Sequence, residues 1–152
     1  MRGEISWSKK LFSSTYELRN YRGKKGELTM EIMSGNATGS ISGRRYRFRS
    51  TGLLSNVYEM ICTETDALVA KIKFNSWKQK AKIITEDRQY YWKHKNFWQT
   101  KWSVFDDRRE YVNCYNNSFV YGGDIVFHPS AEHMVLAGLF IKNRFVRRNS
   151  GA

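Results

Sequence analysis

Eight consecutive residues, Met134 to Ile141, carry no polar side chain, and they lie near the end of a chain that otherwise alternates apolar with polar residues. Eight apolar residues wound into a helix point in every direction, so such a helix is surrounded by protein or lipid on all sides. The run is far short of the roughly 18 residues a membrane span requires. Protein must therefore surround it. Pro129 and Ser130 supply helix start signals, and no breaker follows until Asn143. The spacing predicts a core helix over about 130–146, with Gly138 marking a close approach of its backbone to whatever encloses it. Burying the six larger side chains of the run would contribute on the order of 9–18 kcal/mol, comparable with the net stability of a domain.

Before Pro129 the period is two. Tyr16 and Leu18 alternate with Glu17 and Arg19, and Leu28, Met30 and Ile32 with Thr29 and Glu31. In Arg45-Tyr46-Arg47-Phe48-Arg49, aromatics and guanidiniums must face opposite sides of a sheet. The same alternation runs through Tyr58 to Cys62, Ala70 to Phe74, Ala81 to Ile83, Tyr90 to Trp92, Trp102 to Val104, Val112 to Cys114 and Ile125 to Phe127. Weaker segments at Ile5 to Trp7, Ala37 to Ile41 and Phe119 to Tyr121 bring the total to about a dozen short strands, the density of an antiparallel sandwich or barrel. Gly, Asn, Asp and Ser cluster between them, and the acids at Glu64, Asp66, Glu86, Asp87, Asp106 and Asp107 read as turn formers.

A many-stranded sheet followed by a helix apolar on every side predicts that the sheet curls around the helix. With 152 residues, one proline and no linker-like stretch, residues 1–152 are expected to form one domain. The N-terminus moves straight into polar and aromatic residues without the apolar segment of a secretory signal, so a cytoplasmic location is expected, including a peripheral position at a membrane. Cys62 and Cys114 fit no redox or zinc spacing and read as buried small hydrophobes.

The order of elements resembles the tubby C-terminal-like superfamily, which includes tubby proteins, phospholipid scramblases and LURP-one-related proteins. The segment Val57 to Ile72 with its Glu64-Thr65-Asp66 turn is similar to a strand, acidic turn and strand of those domains. So are Ala81 to Asp87 followed by Tyr91-Trp92-Lys93, and Lys101 to Asp107. The resemblance implies a closed antiparallel barrel of about twelve strands around a hydrophobic C-terminal helix, closest to a short LURP-one-related member. It also implies anionic phospholipid as a ligand.

No chemistry of another kind stands out. A nucleophile needs a base within reach and a metal needs convergent ligands. His94, His128 and His133 have no ligand spacing, and no glycine-rich phosphate loop joins a strand to a helix. A catalytic site, a metal site and a cofactor are not expected. What remains is basic: 26 Lys and Arg against 14 Asp and Glu give a net charge of +12, which favours acidic partners without choosing among them. The candidate anion-binding residues are Arg45, Arg47 and Arg49 on one strand with Lys71, Lys73, Lys80 and Lys82 on a neighbouring pair. Phe97 and Trp98 join Tyr90, Tyr91, Trp92 and Trp102 in making the centre aromatic, and Arg144, Arg147 and Arg148 close the chain.

Three functions fit this pattern. The first is a non-enzymatic module that binds anionic phospholipid. The second is a nucleic-acid-binding barrel in which Tyr46 and Phe48, or Tyr90 and Trp92, stack on bases. The third is a structural or partner-binding protein without a small ligand.

Overall fold

The alternating segments become twelve antiparallel strands: β1 (Gly3–Lys9), β2 (Thr15–Asn20), β3 (Gly23–Met30), β4 (Ala37–Ile41), β5 (Arg44–Ser50), β6 (Val57–Cys62), β7 (Leu68–Asn75), β8 (Lys80–Ile84), β9 (Gln89–His94), β10 (Trp102–Phe105), β11 (Glu110–Tyr115) and β12 (Gly122–Phe127). The computed structural model describes residues 2–52, 56–115 and 122–150, the last four of these by their backbone. The strand expected at Phe119 to Tyr121 lies outside the described residues.

Each strand pairs with its neighbours in sequence, and β1 pairs with β12 to close the barrel. Six residue pairs make that closing seam, from Gly3 opposite Phe127 to Ser8 opposite Gly122. A Cβ at Gly3 would sit within 3 Å of three Phe127 ring atoms, so a side chain there would push against the seam. Closure leaves no sheet edge to protect.

The lumen is filled by α1 (His133–Ser150), which follows a 3-10 turn at Pro129–Ala131. Every residue from Met134 to Asn143 is buried. The helix touches the wall in several directions. Leu136 packs beside Gly39 of β4, and Phe140 stacks on Phe48 of β5 at 4.5 Å between ring centroids. Tyr58 and Phe74 meet Phe140 edge-on. Phe145 lies against Phe74 and Trp92, and the Asn143 amide donates to the Tyr16 hydroxyl of β2. A ring of such contacts is what a helix without a polar face requires.

Three local expectations are corrected. The helix starts at His133 and its backbone continues to Ser150, whereas about 130–146 was expected. The start is displaced because His128 caps the preceding 3-10 turn, its Nδ1 accepting from the Ser130 amide at 3.2 Å. Ile32 is exposed in the β3–β4 turn rather than continuing the strand, because the chain reverses after Met30 with the Glu31 amide donating to the Asn36 carbonyl. Cys62 is half-buried, since a bulge between Met60 and Ile61 breaks the alternation and brings its thiol to Glu64. Cys114 is buried, and burial pushes its thiol up to about 12.

Candidate functional site: a lysine groove on the barrel wall

The cross-strand register decides which of the basic side chains come together. On the outer face of β7, β8 and β9, Lys73 stands directly opposite Lys82, and Lys80 directly opposite Lys93. Lys82 also faces Tyr91, which in turn faces Phe105 of β10. Lys78 reaches the same place from the β7–β8 turn, where its amide donates to Asn75 Oδ1 at 3.1 Å. The result is a groove of about 600 Å³ lined by five lysines and no carboxylate. Tyr91 and Phe105 form an aromatic floor with 5.8 Å between ring centroids, and Lys93 Nζ lies 5.2 Å from the centre of the Phe105 ring.

Like charges directly across a sheet are destabilising. Two such pairs side by side work against the barrel unless an anion sits between them. Among the described residues, none of the five lysines forms an ion pair.

The β5 arginines are arranged differently. Arg45 bonds Glu64 at 3.2 Å, Arg49 bonds Glu59 at 3.2 Å, and Arg47 is paired with Asp66. The Glu64 carboxyl is held low by its own backbone amide and by Arg45. The seven basic candidates therefore divide. Arg45, Arg47 and Arg49 are already partnered, Lys71 lies beside the groove opposite Glu59, and Lys73, Lys80 and Lys82 line it. Lys93 of β9 joins them because the register sets it opposite Lys80, a pairing that strand period alone does not contain.

The remaining candidates are distributed elsewhere. Tyr46, Phe48 and Trp92 are buried and Tyr90 packs half-buried against the core, so none of the four offers a face to a nucleobase. Phe97 and Trp98 are exposed in the β9–β10 turn, not central as expected. Arg144 lies over the Tyr58 ring, 5.2 Å from its centre, and the side chains of Arg147 and Arg148 are outside the described residues. The acidic turns act locally. Although desolvation raises the Asp106 carboxyl, bonds from the Arg108 and Arg109 amides and the Tyr111 hydroxyl hold it below its ordinary range.

Two further ionisable groups meet inside the barrel mouth. Lys142 is buried and donates to the Gln99 carbonyl at 2.8 Å, with His94 Nε2 at 3.1 Å. Burial lowers Lys142 to about 8, and burial together with the Lys142 charge lowers His94 to about 4. At neutral pH a neutral imidazole therefore accepts from an ammonium, and the helix is tied to the β9–β10 turn. No group of three or more His, Cys, Asp or Glu positioned to hold a metal occurs among the described residues. Nor is any described helix long and apolar enough to cross a membrane.

The fold, a closed twelve-stranded antiparallel barrel with a buried C-terminal helix, has a solved counterpart. The X-ray structure of a protein from Arabidopsis thaliana superposes with a TM-score of 0.60 at 10% sequence identity, covering 96% of this chain and 91% of that one. At that identity the likeness is one of fold. No protein-family model matches the chain, and no curated protein matches it in sequence.

Proposed function

We propose that the chain is a non-enzymatic binding module of tubby-like architecture whose lysine groove takes the phosphate groups of anionic phospholipid. The observation that carries this is the pair of like-charge contacts, Lys73 with Lys82 and Lys80 with Lys93, in a groove without a carboxylate. A phosphate set among these ammoniums would turn local repulsion into attraction, with each lysine near an anionic membrane contributing about 1 kcal/mol. The resemblance to tubby-like domains supplies the lipid, and the fold is compatible with it. The nucleic-acid reading keeps one feature in its favour, the outward Tyr91–Phe105 floor beside the lysines.

Vesicle co-sedimentation tests the proposal. The parent protein is expected to sediment with vesicles containing a polyphosphorylated inositol lipid at about 0.15 M salt, where exposed long-range charge is largely screened. The double variant Lys73→Gln, Lys82→Gln should lose at least tenfold in affinity, while Arg45→Gln, whose parent side chain is already paired, should change little. Equal binding by the parent and the groove variant would refute the groove, and preference for an oligonucleotide over vesicles at that salt would favour the second reading.

A further inference from the structure

Every pair of neighbouring strands is antiparallel, so turns that follow odd-numbered strands gather at one end of the barrel and turns that follow even-numbered strands at the other. The two ends differ in chemistry. The odd-strand turns carry Phe12, Ile32, Met33, Trp77, Phe97 and Trp98. Phe12, Met33 and Trp77 are each at least 94% exposed, and even the least exposed of the six, Trp98, shows 73%. The even-strand turns carry one comparable residue, Tyr21.

Charge divides in the same way. The odd-strand turns hold four lysines, Lys10, Lys78, Lys95 and Lys101, against the single carboxylate Glu31, with Lys95 also paired to Glu110 of β11 at 2.9 Å. The even-strand turns and the segment before the helix hold seven carboxylates, including the Glu86-Asp87 and Asp106-Asp107 pairs, against four arginines. Arg45 and Arg47 of β5 pair with Glu64 and Asp66 there, so the barrel is polarised along its axis between a cationic apolar rim and a polar end of compensated charge. The helix follows β12 from the polar end, so its last turns lie at the cationic rim.

We infer that this rim is a membrane-docking surface whose apolar tips enter the interfacial layer of an anionic bilayer. The inference rests on the reading that the chain binds anionic phospholipid, but it concerns a surface that meets the lysine groove only at Lys78. Aromatic side chains favour the headgroup level of a bilayer, and lysines beside them meet its negative surface potential. The axial polarity orients the approach, since an anionic surface attracts the lysine end more strongly than the charge-compensated end.

The tips also have rigid supports. Gln79 Nε2 donates to the Ser76 carbonyl at 2.8 Å across the turn that presents Trp77. Lys142 holds the Gln99 carbonyl in the turn that presents Phe97 and Trp98, whose rings meet edge-on at 5.5 Å. Several separate aromatic and aliphatic tips interleaved with cations suit a fluid charged layer better than a flat partner of fixed shape.

Tryptophan fluorescence reads this surface selectively. Of the five tryptophans, Trp7, Trp92 and Trp102 are buried whereas Trp77 and Trp98 stand on the rim. Adding phosphatidylcholine vesicles with about 30 mol% phosphatidylserine should shift the emission to the blue and allow quenching by bromine-labelled acyl chains. Pure phosphatidylcholine should do neither. The variant Trp77→Ser, Trp98→Ser should lose at least tenfold in vesicle affinity, and Tyr21→Ser at the opposite end should match the parent. Undiminished vesicle binding by the rim variant, without bromolipid quenching in the parent, would overturn the inference and leave the groove as the membrane contact. Binding of soluble inositol trisphosphate without vesicle binding would also overturn it while sparing the groove. Shielding of Trp77 and Trp98 from acrylamide without lipid, accompanied by dimerisation, would assign the rim to a second copy instead. Rim insertion that persists in the Lys73→Gln, Lys82→Gln variant would support the rim even if the groove reading failed.

Discussion

Leu136→Asp is expected to abolish cooperative folding. Leu136 is fully buried on the helix and packs beside Gly39 of β4 in the closed lumen. A carboxylate there would have neither water nor a cation, a cost of several kcal/mol in addition to the lost apolar burial. The net stability of a domain is only about 5–15 kcal/mol, so little of it would remain. Far-ultraviolet circular dichroism should show a non-cooperative melt, with exposed apolar surface detected by dye binding. Leu136→Met, which nearly conserves volume, should cost less than about 1.5 kcal/mol and retain a sharp transition. A Leu136→Asp protein melting cooperatively near the parent temperature would contradict the enclosed helix.

Gly138→Leu is expected to destabilise the barrel by more than about 3 kcal/mol, and the argument weighs two opposed effects. Glycine in the interior of a helix is less favourable than alanine by about 1 kcal/mol, so on propensity alone alanine or leucine would help. The surroundings reverse that sign. A Cβ at Gly138 would lie 2.4 Å and 2.8 Å from two atoms of the Trp102 ring. Trp102 is fully buried and stacks on Trp92, whose indole N–H donates to the Gly138 carbonyl at 3.1 Å. With no free space for the ring, overpacking by even one carbon costs about 1–3 kcal/mol, and a leucine adds three more. Urea unfolding of Gly138→Ala and Gly138→Leu gives the test. Trp102→Leu should partly rescue Gly138→Ala, a coupling that distant sites would not show. Higher stability for Gly138→Ala would mean that the helix backbone does not lie against the wall as described.

The barrel and its enclosed helix were legible in the sequence because both rest on local period. Alternation placed Tyr46 and Phe48 inward and Arg45, Arg47 and Arg49 outward, and the unbroken run from Met134 demanded a surrounding wall. Period gives the face of a strand, but not its partner. That Arg45, Arg47 and Arg49 are spent on Glu64, Asp66 and Glu59 follows from the β5–β6 register and the neighbouring turn, which composition does not contain. The same is true of Lys93 opposite Lys80. A bulge of one residue at Met60/Ile61 was enough to bring Cys62 partly out of the core. Phe97 and Trp98 misled for a different reason. Large aromatics are usually core residues, and only the end-to-end arrangement of turns shows these two projecting from a rim.

The net charge of +12 also means something different once it has a location. It is not spread evenly: six of the fourteen acids stand in the even-strand turns and none lines the wall groove, where five lysines gather. Stability given up to like-charge contacts in a groove is the kind of local conflict found at binding sites.

Thermal unfolding with and without inositol trisphosphate puts the lysine groove to the test without a membrane. A ligand at about 100 times its dissociation constant stabilises the folded state by about 2.7 kcal/mol, which for a chain of this size raises the midpoint by roughly 5–11 °C. That rise is predicted for the parent at about 0.15 M salt and not for Lys73→Gln, Lys82→Gln. Without ligand the variant should melt at the parent temperature or slightly above it, because one like-charge pair has been relieved. An equal rise in both proteins, or none in the parent, would contradict a phosphate site between β7, β8 and β9.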